Sequence, residues 1–594
     1  MKNILVIFLS LFFFSACQNQ NEDWGSYGKD LTNQRFSKLD QINTKNVNNL
    51  KLAWQHQTGI SATFQATPIV HKGIMYVSLP FNHVIALDGK TGKELWRYEH
   101  DRNPNWKMCC GPTNRGVAIH EEQLFFGTVD ARLISLDIKT GEKIWDINVV
   151  ENLVETESLS SLNELDPNRD KIISGGTGVG ISMAPVVYKN KVIIGITGVG
   201  YGLHIEEQGS DSPLGAVVGV AGRFGRPGFL AAYDIHSGRQ IWQFDTIPEQ
   251  GWEGEFTNYT ADGEVLNRDT YLEKEALAQY PDSSKYGGGS AWTTPAIDEI
   301  TNTLFFGTGN PSPQMSSETR PGDNLYTVSL VALDADTGKL KWFYQQVPHD
   351  IWGYDVASPP LLFHTIVDGK VIPAVGQAGK TGWFYVHNRN NGELLLKSEA
   401  FVPQDNLFSK ATPEGTVIYP GILGGSNWSP VSMNLDHHLV YVSGIHAPIK
   451  YTLHEKKSRD KIVKYTSSEP SDDPQWGLLS AIDVSTGKII WQHTTEKPLL
   501  GGSLATKGDL VFVGEGNGSF NAFNAITGEL IWQTNIDAGV NAPPITYMIN
   551  GTQYVAVVAG GNKIMGYKQG DLSLIHISEP TRLLSISYAV FCLK

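Results

Sequence analysis

The chain has 594 residues, of which 18% are charged and 10% aromatic, with 61 glycines, 15 tryptophans and a formal net charge of -14. This composition favours a β-rich protein with many tight turns over a helical protein. The acidic balance argues against a nucleic-acid-binding protein, because such proteins need lysine and arginine to neutralise phosphates.

The N-terminus has the pattern of a secretory signal. One lysine precedes an apolar run from Ile4 to Phe14, which is short for a membrane-spanning helix and is followed by small residues. The next residues, "FSAC", resemble a bacterial lipobox, which implies lipidation of Cys17. We therefore predict a signal peptide at 1–16, a linker at 17–23 and a lipoprotein anchored in the periplasm or cell envelope of a Gram-negative bacterium. An ordinary cleaved signal that contains a cysteine is the alternative.

One phrase recurs along the chain. "ALDGKTGKELW" (86–96) consists of a short alternating strand, a polar turn with glycine at the bend, and a second strand that ends in tryptophan. The other copies are "SLDIKTGEKIW" (135–145), "AYDIHSGRQIW" (232–242), "ALDADTGKLKW" (332–342), "VHNRNNGELLL" (386–396), "AIDVSTGKIIW" (481–491) and "AFNAITGELIW" (522–532).

Another strand pair lies upstream of most copies, which makes about four strands per unit. Units of this kind predict an all-β fold, an eight-bladed β-propeller of four-stranded antiparallel blades with tryptophan-docking repeats. The eighth closing strand is "LKLAWQHQTG" around Trp54, which we expect to complete the last blade and remove a free edge. The longer gaps, Trp145–Trp242, Trp242–Trp342 and Leu396–Trp491, predict large loops, where function tends to lie.

The last segment, "LSLIHISEPTRLLSISYAVFCLK" (572–594), does not continue this pattern. It resembles the translation of a transposon-type sequencing adapter, so we assign it, with Cys592, to an artefact and limit the propeller to 24–571. The native C-terminus is then expected to be missing.

Several motifs outside the repeats occur in collinear order over residues 24 to 570. They are "WGSYGKDLTNQRFSKLDQINTKNVNNLKLAW", "CCGPTNRG", "GGGSAW", "GTGNPSP", "RPGDNLYTVSLVALDADTG" and "PHDIWGYD". Together they resemble the quinoprotein alcohol and sugar dehydrogenases. The resemblance implies a propeller that binds pyrroloquinoline quinone (PQQ) with Ca2+ or a lanthanide ion. It also implies oxidation of an alcohol or sugar hydroxyl to a carbonyl, with electrons passing to a cytochrome or membrane quinone.

The resemblance assigns the adjacent Cys109 and Cys110 to a disulfide that covers one face of PQQ. Adjacent Cα atoms are about 3.8 Å apart, below the usual disulfide range of about 4.4 to 6.8 Å, so such a ring is strained. A reduced, buried pair without a ligand is the alternative. The other residues that the resemblance assigns to the cofactor are Arg115, Ser182, Thr197, Gly198, Ser290, Trp292, Lys380, Asn427 and Trp428.

Three of these have specific implied roles. The Arg115 guanidinium suits a PQQ carboxylate, the Trp292 indole stacks on the ring, and Lys380 polarises the quinone oxygen. Gln65 stands where a cofactor-facing glutamate is common in the family.

The sequence identifies only part of the metal site. Asn310 matches an amide ligand suited to a hard cation. The family's glutamate ligand should follow Gly198, but an apparent insertion lies there, and neither Glu206 nor Glu207 aligns with it.

The usual catalytic aspartate directly follows tryptophan, and in "PHDIWGYD" that position is Gly353. Asp350 lies three residues before it, and Asp355 lies two residues after it, on the same face of an extended strand. We therefore take Asp355 as the candidate general base, a candidate metal ligand, or both.

Two non-catalytic alternatives remain. One is a propeller scaffold similar to the outer-membrane assembly lipoprotein, and the other is a PQQ binder without turnover. The scaffold would need neither the cysteine pair nor the long tryptophan-bearing insertions. No Cys-x-x-Cys-His motif is present in the sequence, so no c-type haem domain is visible in it.

Overall fold

The computed structural model describes residues 21–101, 113–150, 179–198, 226–281, 283–312, 314–315, 317–458, 461–563, 565–570 and 574–578. The predictions for Cys17, Cys109, Cys110, Glu206, Glu207 and Cys592 lie outside these ranges. Within the described part of the chain, no helix is long and apolar enough to cross a membrane.

Eight of the sheets form the blades, which we number in chain order, and each blade has four antiparallel strands. The sheet of blade 7 has a fifth strand, Phe36–Ser37, which pairs in parallel, and a separate three-stranded sheet lies outside the blades. Blade 1 consists of Ile69–His71, Ile74–Ser78, Val84–Asp88 and Glu94–Tyr98. Blade 2 consists of Ala118–His120, Gln123–Gly127, Arg132–Asp137 and Lys143–Asn148. Blade 3 consists of Val186–Tyr188, Lys191–Gly195, Phe229–Asp234 and Gln240–Asp245. Blade 4 consists of Ala296–Asp298, Thr303–Gly307, Ser329–Asp334 and Leu340–Gln345. Blade 5 consists of Leu361–Val367, Lys370–Ala378, Phe384–Asn388 and Leu394–Lys397. Blade 6 consists of Ser432–Asn434, Leu439–His446, Trp476–Asp483 and Ile489–Thr495. Blade 7 consists of Ser503–Thr506, Leu510–Gly514, Ser519–Asn524 and Leu530–Asn535. Blade 8 consists of Ile545–Ile549, Thr552–Val557, Leu574–Ser578 and Lys51–His56.

Blade 8 joins the two ends of the described chain. Its outer strand, Lys51–His56, pairs antiparallel with Leu574–Ser578, and this pairing confirms that the N-terminal strand completes the last blade. Closure of this kind removes the free edge that an open array of sheets would expose. The assignment of residues 572–594 to an adapter stays a prediction.

Burial follows the position of a strand within its blade. The third strand of blade 4, Ser329–Asp334, is buried at five consecutive positions, because neighbouring blades cover both of its faces. The fourth strand, Leu340–Gln345, alternates between exposed and partly buried residues and lies at the outer rim. The hydrophobic core is therefore divided among the junctions between blades.

The recurring tryptophans form these junctions. The Trp96 indole N–H donates to the Ile138 carbonyl of the next blade at 3.0 Å, and its ring covers Gly141. A Cβ at Gly141 would lie 2.5 Å from the indole, which is too close for any side chain. The backbone φ of +74° is a second reason for glycine, because other residues rarely adopt it. Equivalent bonds join Trp54 to Gly89, Trp145 to Ile235, Trp242 to Ala335, Trp342 to Arg389 and Trp491 to Ala525.

Blade 5 has leucine where the other copies have tryptophan. Leu396 packs against Gly487 of blade 6 but has no N–H to donate. The equivalent carbonyl, that of Val484, accepts a hydrogen bond of 2.8 Å from the Thr365 hydroxyl in the first strand of blade 5. Thr365 thus supplies the donor that this junction would otherwise lack.

The predicted large loops contain secondary structure of their own. The connection between blades 3 and 4 carries one α-helix, Thr270–Ala276, which is capped by the Asp269 side chain. A long hairpin, Ile449–Ser458 and Lys461–Pro470, extends from blade 6 and pairs with Thr416–Ile418. In the described part of the chain, short 3-10 helices span Val47–Asn49, Pro80–Asn82, Leu277–Gln279 and Ser283–Tyr286.

The segment 24–37 forms hydrogen bonds with blades 1, 4, 5, 6 and 7 and with the residue that precedes blade 8. Its Phe36–Ser37 strand pairs in parallel with Ser503–Thr506 of blade 7. Arg35 is fully buried and donates to the carbonyls of Tyr27, Pro544 and Ser503 at 2.6 to 3.0 Å. We call this segment the central segment.

Asn33 of the central segment reaches the opposite side of the ring. Its amide donates to the carbonyls of Thr294, Pro295 and Pro360, which directly precede the first strands of blades 4 and 5. The central segment therefore forms a floor beneath the loops that precede the first strands.

Candidate active site

The predicted site residues occur at two equivalent places in successive blades. Arg115, Ser182 and Trp292 each lie three or four residues before the first strand of a blade. Thr197 and Lys380 each lie two residues after a second strand, and Asn310 lies three residues after one. In an antiparallel pair the start of one strand lies beside the end of its partner, so both places open onto the same side of the ring.

The Arg115 guanidinium lies between two indoles. It is 4.9 Å from the ring centroid of Trp292 and 5.2 Å from that of Trp428, and it is buried. It donates to the Ser182 hydroxyl at 2.8 Å and to the Trp292 carbonyl at 3.2 Å. One cation, one hydroxyl and two indole rings, from the loops that precede blades 2, 3, 4 and 6, thus meet in one place.

The backbone beside Arg115 fixes this arrangement. The Arg115 N–H donates to the Ser182 carbonyl, and the Arg115 carbonyl accepts from Thr67 N–H. Gln65, two residues before Thr67, is buried, and its Oε1 has no hydrogen-bond partner among the described residues. A buried amide oxygen without a partner among the described residues fits a site where a bound ligand donates the missing hydrogen bond. The cationic, aromatic and hydroxyl groups present therefore fit a planar, anionic, polycyclic molecule such as PQQ.

A second group of residues surrounds Asp355. Its Oδ2 accepts from the Lys380 ammonium at 2.8 Å, and its Oδ1 accepts from the Asn310 backbone N–H at 2.5 Å. Lys380 also donates to the Gly353 carbonyl at 2.9 Å. Both members of the ion pair are buried, with relative exposures of 8% for Asp355 and 5% for Lys380. Asp355, the candidate base and metal ligand, is thus one half of a buried ion pair, and both roles stay predictions.

Two short links join the Arg115 group to the Asp355 group. Ser290 is two residues from Trp292, and its carbonyl accepts from Gly309 N–H, next to Asn310. On the other side, Gly425 N–H donates to the Lys380 carbonyl, two residues before Asn427. The Asn427 carboxamide oxygen accepts from Trp428 N–H at 2.9 Å and fixes the start of the indole segment. Thr197 exchanges backbone hydrogen bonds with Gly180, two residues from Ser182, and Gly198 follows it.

Gly353 has no room for a side chain. Its φ is +84°, and a Cβ there would lie 2.4 Å from Gln314 Nε2 and 2.8 Å from Ile422 Cγ1. The space that an aspartate at this position would need is therefore filled by neighbours. This geometry explains how the loop accommodates the departure from the usual motif.

The loop from Asp350 to Asp355 is organised by a buried carboxylate. Asp350 accepts from the backbone N–H groups of Trp352, Gly353 and Tyr354 at 3.0 to 3.2 Å. Burial raises the pKa of Asp350 to about 6, although hydrogen bonds from the N–H groups of Tyr354 and Trp352 oppose the shift.

Arg320 lies beside this loop and is fully buried. It donates to the Asp350 carbonyl at 2.6 Å and to the Asn324 side chain at 2.6 Å. Burial lowers the pKa of Arg320 to about 10, and the charge of Asp350 opposes that shift.

The oxygen donors for a metal are few in the described ranges. Asn310 and Asp355 supply an amide and a carboxylate, the donor types that hard cations prefer. No group of three or more His, Cys, Asp and Glu side chains suited to a metal occurs among the residues that the structure describes. The predicted glutamate ligand falls in 199–225, outside them.

A family model for the β-propeller domain of PQQ-dependent glucose, ethanol and alcohol dehydrogenases matches residues 24–407 and 466–555. The chain belongs to this family. It is a PQQ-dependent dehydrogenase that acts on CH–OH donors, as the sequence motifs predicted.

Individual relatives agree. A quinohemoprotein alcohol dehydrogenase of Comamonas testosteroni is 33% identical over 588 residues, which cover 93% of this chain and 75% of the relative. A quinoprotein ethanol dehydrogenase of Pseudomonas putida is 31% identical, with coverages of 92% and 87%.

Solved structures give the same result for the fold. The crystal structure of the Comamonas testosteroni quinohemoprotein alcohol dehydrogenase superposes with a TM-score of 0.75 at 30% identity, covering 94% of this chain and 81% of that chain. A europium-containing methanol dehydrogenase superposes with a TM-score of 0.73 at 24% identity, covering 94% and 98%. Together with the eight observed sheets, these likenesses confirm the predicted propeller.

Sequence reasoning missed two contributors to the site. Gln314, which fills the space above Gly353, carries no motif that would identify it. Arg320 opens the quoted "RPGDN" motif, but nothing in the spacing indicates that its guanidinium reaches the Asp350 carbonyl.

Proposed function

We propose that this protein oxidises an alcohol to a carbonyl compound, with Asp355 as the general base that accepts the hydroxyl proton. The observation that carries the proposal is the buried contact of 2.8 Å between Asp355 and Lys380. The Lys380 ammonium holds the Asp355 carboxylate in one orientation, and a general base needs a fixed position relative to the proton it accepts. The proposed substrate class also rests on the relatives, which are named alcohol or ethanol dehydrogenases.

The residues around Arg115 would hold the cofactor. Arg115 and the Ser182 hydroxyl would bind its carboxylates and carbonyls, the indoles of Trp292 and Trp428 would face its ring, and Gln65 would contribute its orphaned amide oxygen. When bound, PQQ supplies the acceptor for the hydride that leaves the substrate carbon. Ser290, Thr197, Gly198 and Asn427 would complete the rim. A Cys109–Cys110 disulfide over the opposite face is part of this proposal.

A Ca2+ or lanthanide ion would bind next to Asp355. The Asn310 and Asp355 side chains supply two oxygen donors, and an acidic residue of the 199–225 segment would be a third ligand. The ion would share Asp355 with Lys380, so cation binding and the ion pair would be coupled.

The experiment that tests the proposal is reconstitution of the purified protein with PQQ plus Ca2+ or La3+, followed by dye-linked oxidation of alcohols and aldoses. Asp355→Asn keeps the shape of the side chain but cannot accept the proton, so we expect kcat to fall by about 10^2 to 10^4 while PQQ still binds. Asp436→Asn, a blade 6 turn change, is the control and should leave kcat unchanged. PQQ binding without dye reduction in the wild type would support a non-catalytic binder, and no PQQ absorbance would overturn the proposal.

Location and electron acceptors are further parts of the proposal. The lipobox supports anchoring through a lipidated Cys17 in the periplasm or cell envelope, with a cytochrome or membrane quinone as the electron acceptor. Incorporation of labelled palmitate that is lost in Cys17→Ala would test the anchor. Label that persists in the variant would contradict it.

A further inference from the structure

The backbone that carries Asp355 is held by one side chain. Three consecutive N–H groups, from Trp352 to Tyr354, point at the Asp350 carboxylate. Such a ring of N–H donors around an anion fixes the path of the chain, including the left-handed turn at Gly353. Asp350 is fully buried, so no competing water surface weakens these bonds.

Arg320 anchors the backbone of the same residue. Its Nη2 donates to the Asp350 backbone carbonyl at 2.6 Å and to the Gln314 carbonyl at 3.3 Å. The guanidinium thereby ties the loop after Asn310 to the loop that ends at Asp355, and it supplies the charge that balances a buried carboxylate.

The same loop presents two oxygens to Lys380. The Gly353 carbonyl and the Asp355 Oδ2 both accept from the Lys380 ammonium, at 2.9 and 2.8 Å. Gly353 N–H is itself a donor to Asp350. A shift of the loop would therefore move both acceptors away from Lys380 together.

We propose that Asp350 and Arg320 are positioning residues that set the geometry of the Asp355–Lys380 pair. The inference rests on the proposed function of that pair. The hydrogen bonds of these two side chains that involve described residues go to Asn324 and to the backbone between 314 and 354, so their effect is on orientation, to which proton transfer and hydride loss are sensitive.

Two measurements test this on the full-length protein. Hydrogen–deuterium exchange of the cofactor-free protein reports the N–H groups of 352–354 directly. We expect exchange in a peptide spanning 351–355 to be about tenfold faster in Asp350→Ala, with Asp350→Asn between it and the wild type, because asparagine keeps one acceptor oxygen. In the PQQ-loaded enzyme, we expect kcat to fall about tenfold or more in the same order, with KM changed less than about threefold.

The matched control is Asp298→Asn in blade 4. Asp298 is also a buried carboxylate that accepts a backbone N–H, that of Ile300 at 3.0 Å, and it faces Arg389 at 3.4 Å. We expect it to leave exchange at 351–355 and kcat unchanged.

The outcomes distinguish the positioning role of Asp350 from the proposed function of the Asp355–Lys380 pair. Unchanged exchange at 351–355 in Asp350→Asn and Asp350→Ala would overturn the positioning role, whether or not the enzyme turns over. Faster exchange with wild-type kcat would also overturn it. An inactive wild type with the expected exchange pattern would instead refute the proposed function of the pair. Asp350→Asn keeps the test valid if Asp350→Ala does not fold.

Discussion

Restoring an aspartate at position 353 should damage the protein, although the family usually has one there. In Gly353→Asp, a β-carbon would be forced into a left-handed backbone at φ +84°, which costs about 1–2 kcal/mol. It would also overlap Gln314 Nε2 at 2.4 Å and Ile422 Cγ1 at 2.8 Å, and overpacking of this kind costs about 1–3 kcal/mol. We therefore expect a loss of about 3 kcal/mol.

The assay is thermal unfolding of the cofactor-free protein. An unfolding entropy of about 2.1 cal/mol/K per residue gives roughly 1 kcal/mol per degree for a chain of 594 residues, so Tm should fall by about 3 °C. Gly251→Asp is the matched control, because Gly251 has φ +81° but no atom within 4 Å of an added Cβ. It should lower Tm by only about 1 °C.

Gln314→Ala in the Gly353→Asp background removes the nearest obstacle and should recover part of the loss. The reasoning would be refuted if Gly353→Asp and Gly251→Asp had the same Tm. It would equally be refuted if Gly353→Asp reduced dye faster than the wild type, since an aspartate at 353 would then be the better base.

Three further changes test other parts of the structure. Thr365→Val removes the hydroxyl that donates to the buried Val484 carbonyl and should cost about 1–2 kcal/mol in denaturant unfolding, whereas an equal stability would refute the compensation in blade 5. Arg115→Lys replaces the planar fork between two indoles, so PQQ should bind about tenfold more weakly in a fluorescence titration; unchanged affinity would contradict the assigned carboxylate contact. Burial lowers the pKa of His387 to about 4, so the unfolded chain binds a proton below about pH 6.5 that the folded protein rejects, and stability falls as pH decreases through this window. His387→Phe keeps the stacking on Tyr385 and should remove roughly 3 kcal/mol of that loss between pH 7 and pH 4, measured by urea unfolding at both pH values; an unchanged pH dependence would refute it.

The propeller could be predicted because its signal is local and repeated. In six blades the turn places a glycine under the tryptophan of the preceding blade, so the pattern of Gly141 and its equivalents appears directly in the sequence. Arg115 and Lys380 were assigned through the family resemblance, and the structure places them near the start of a first strand and the end of a second strand.

The interior of the site could not be predicted in this way. Whether Asp355 reaches Lys380 depends on the path of the 350–355 loop, which is set by three N–H groups and one carboxylate. Gln314 occupies the space above Gly353 because of long-range packing, which leaves no periodic trace in the sequence. The Thr365 hydroxyl similarly compensates for Leu396 from a strand some thirty residues earlier in the chain.

The central segment imposes an order on biosynthesis. Its strand Phe36–Ser37 precedes its partner in blade 7, Ser503–Thr506, by well over 400 residues. At about 5–20 residues per second, Phe36–Ser37 is synthesised roughly 25–90 s before that partner. During that interval it is an unpaired edge that can pair with another nascent chain. Concentration during synthesis, more than the stability of any one blade, should therefore govern how much of this protein matures as a closed ring.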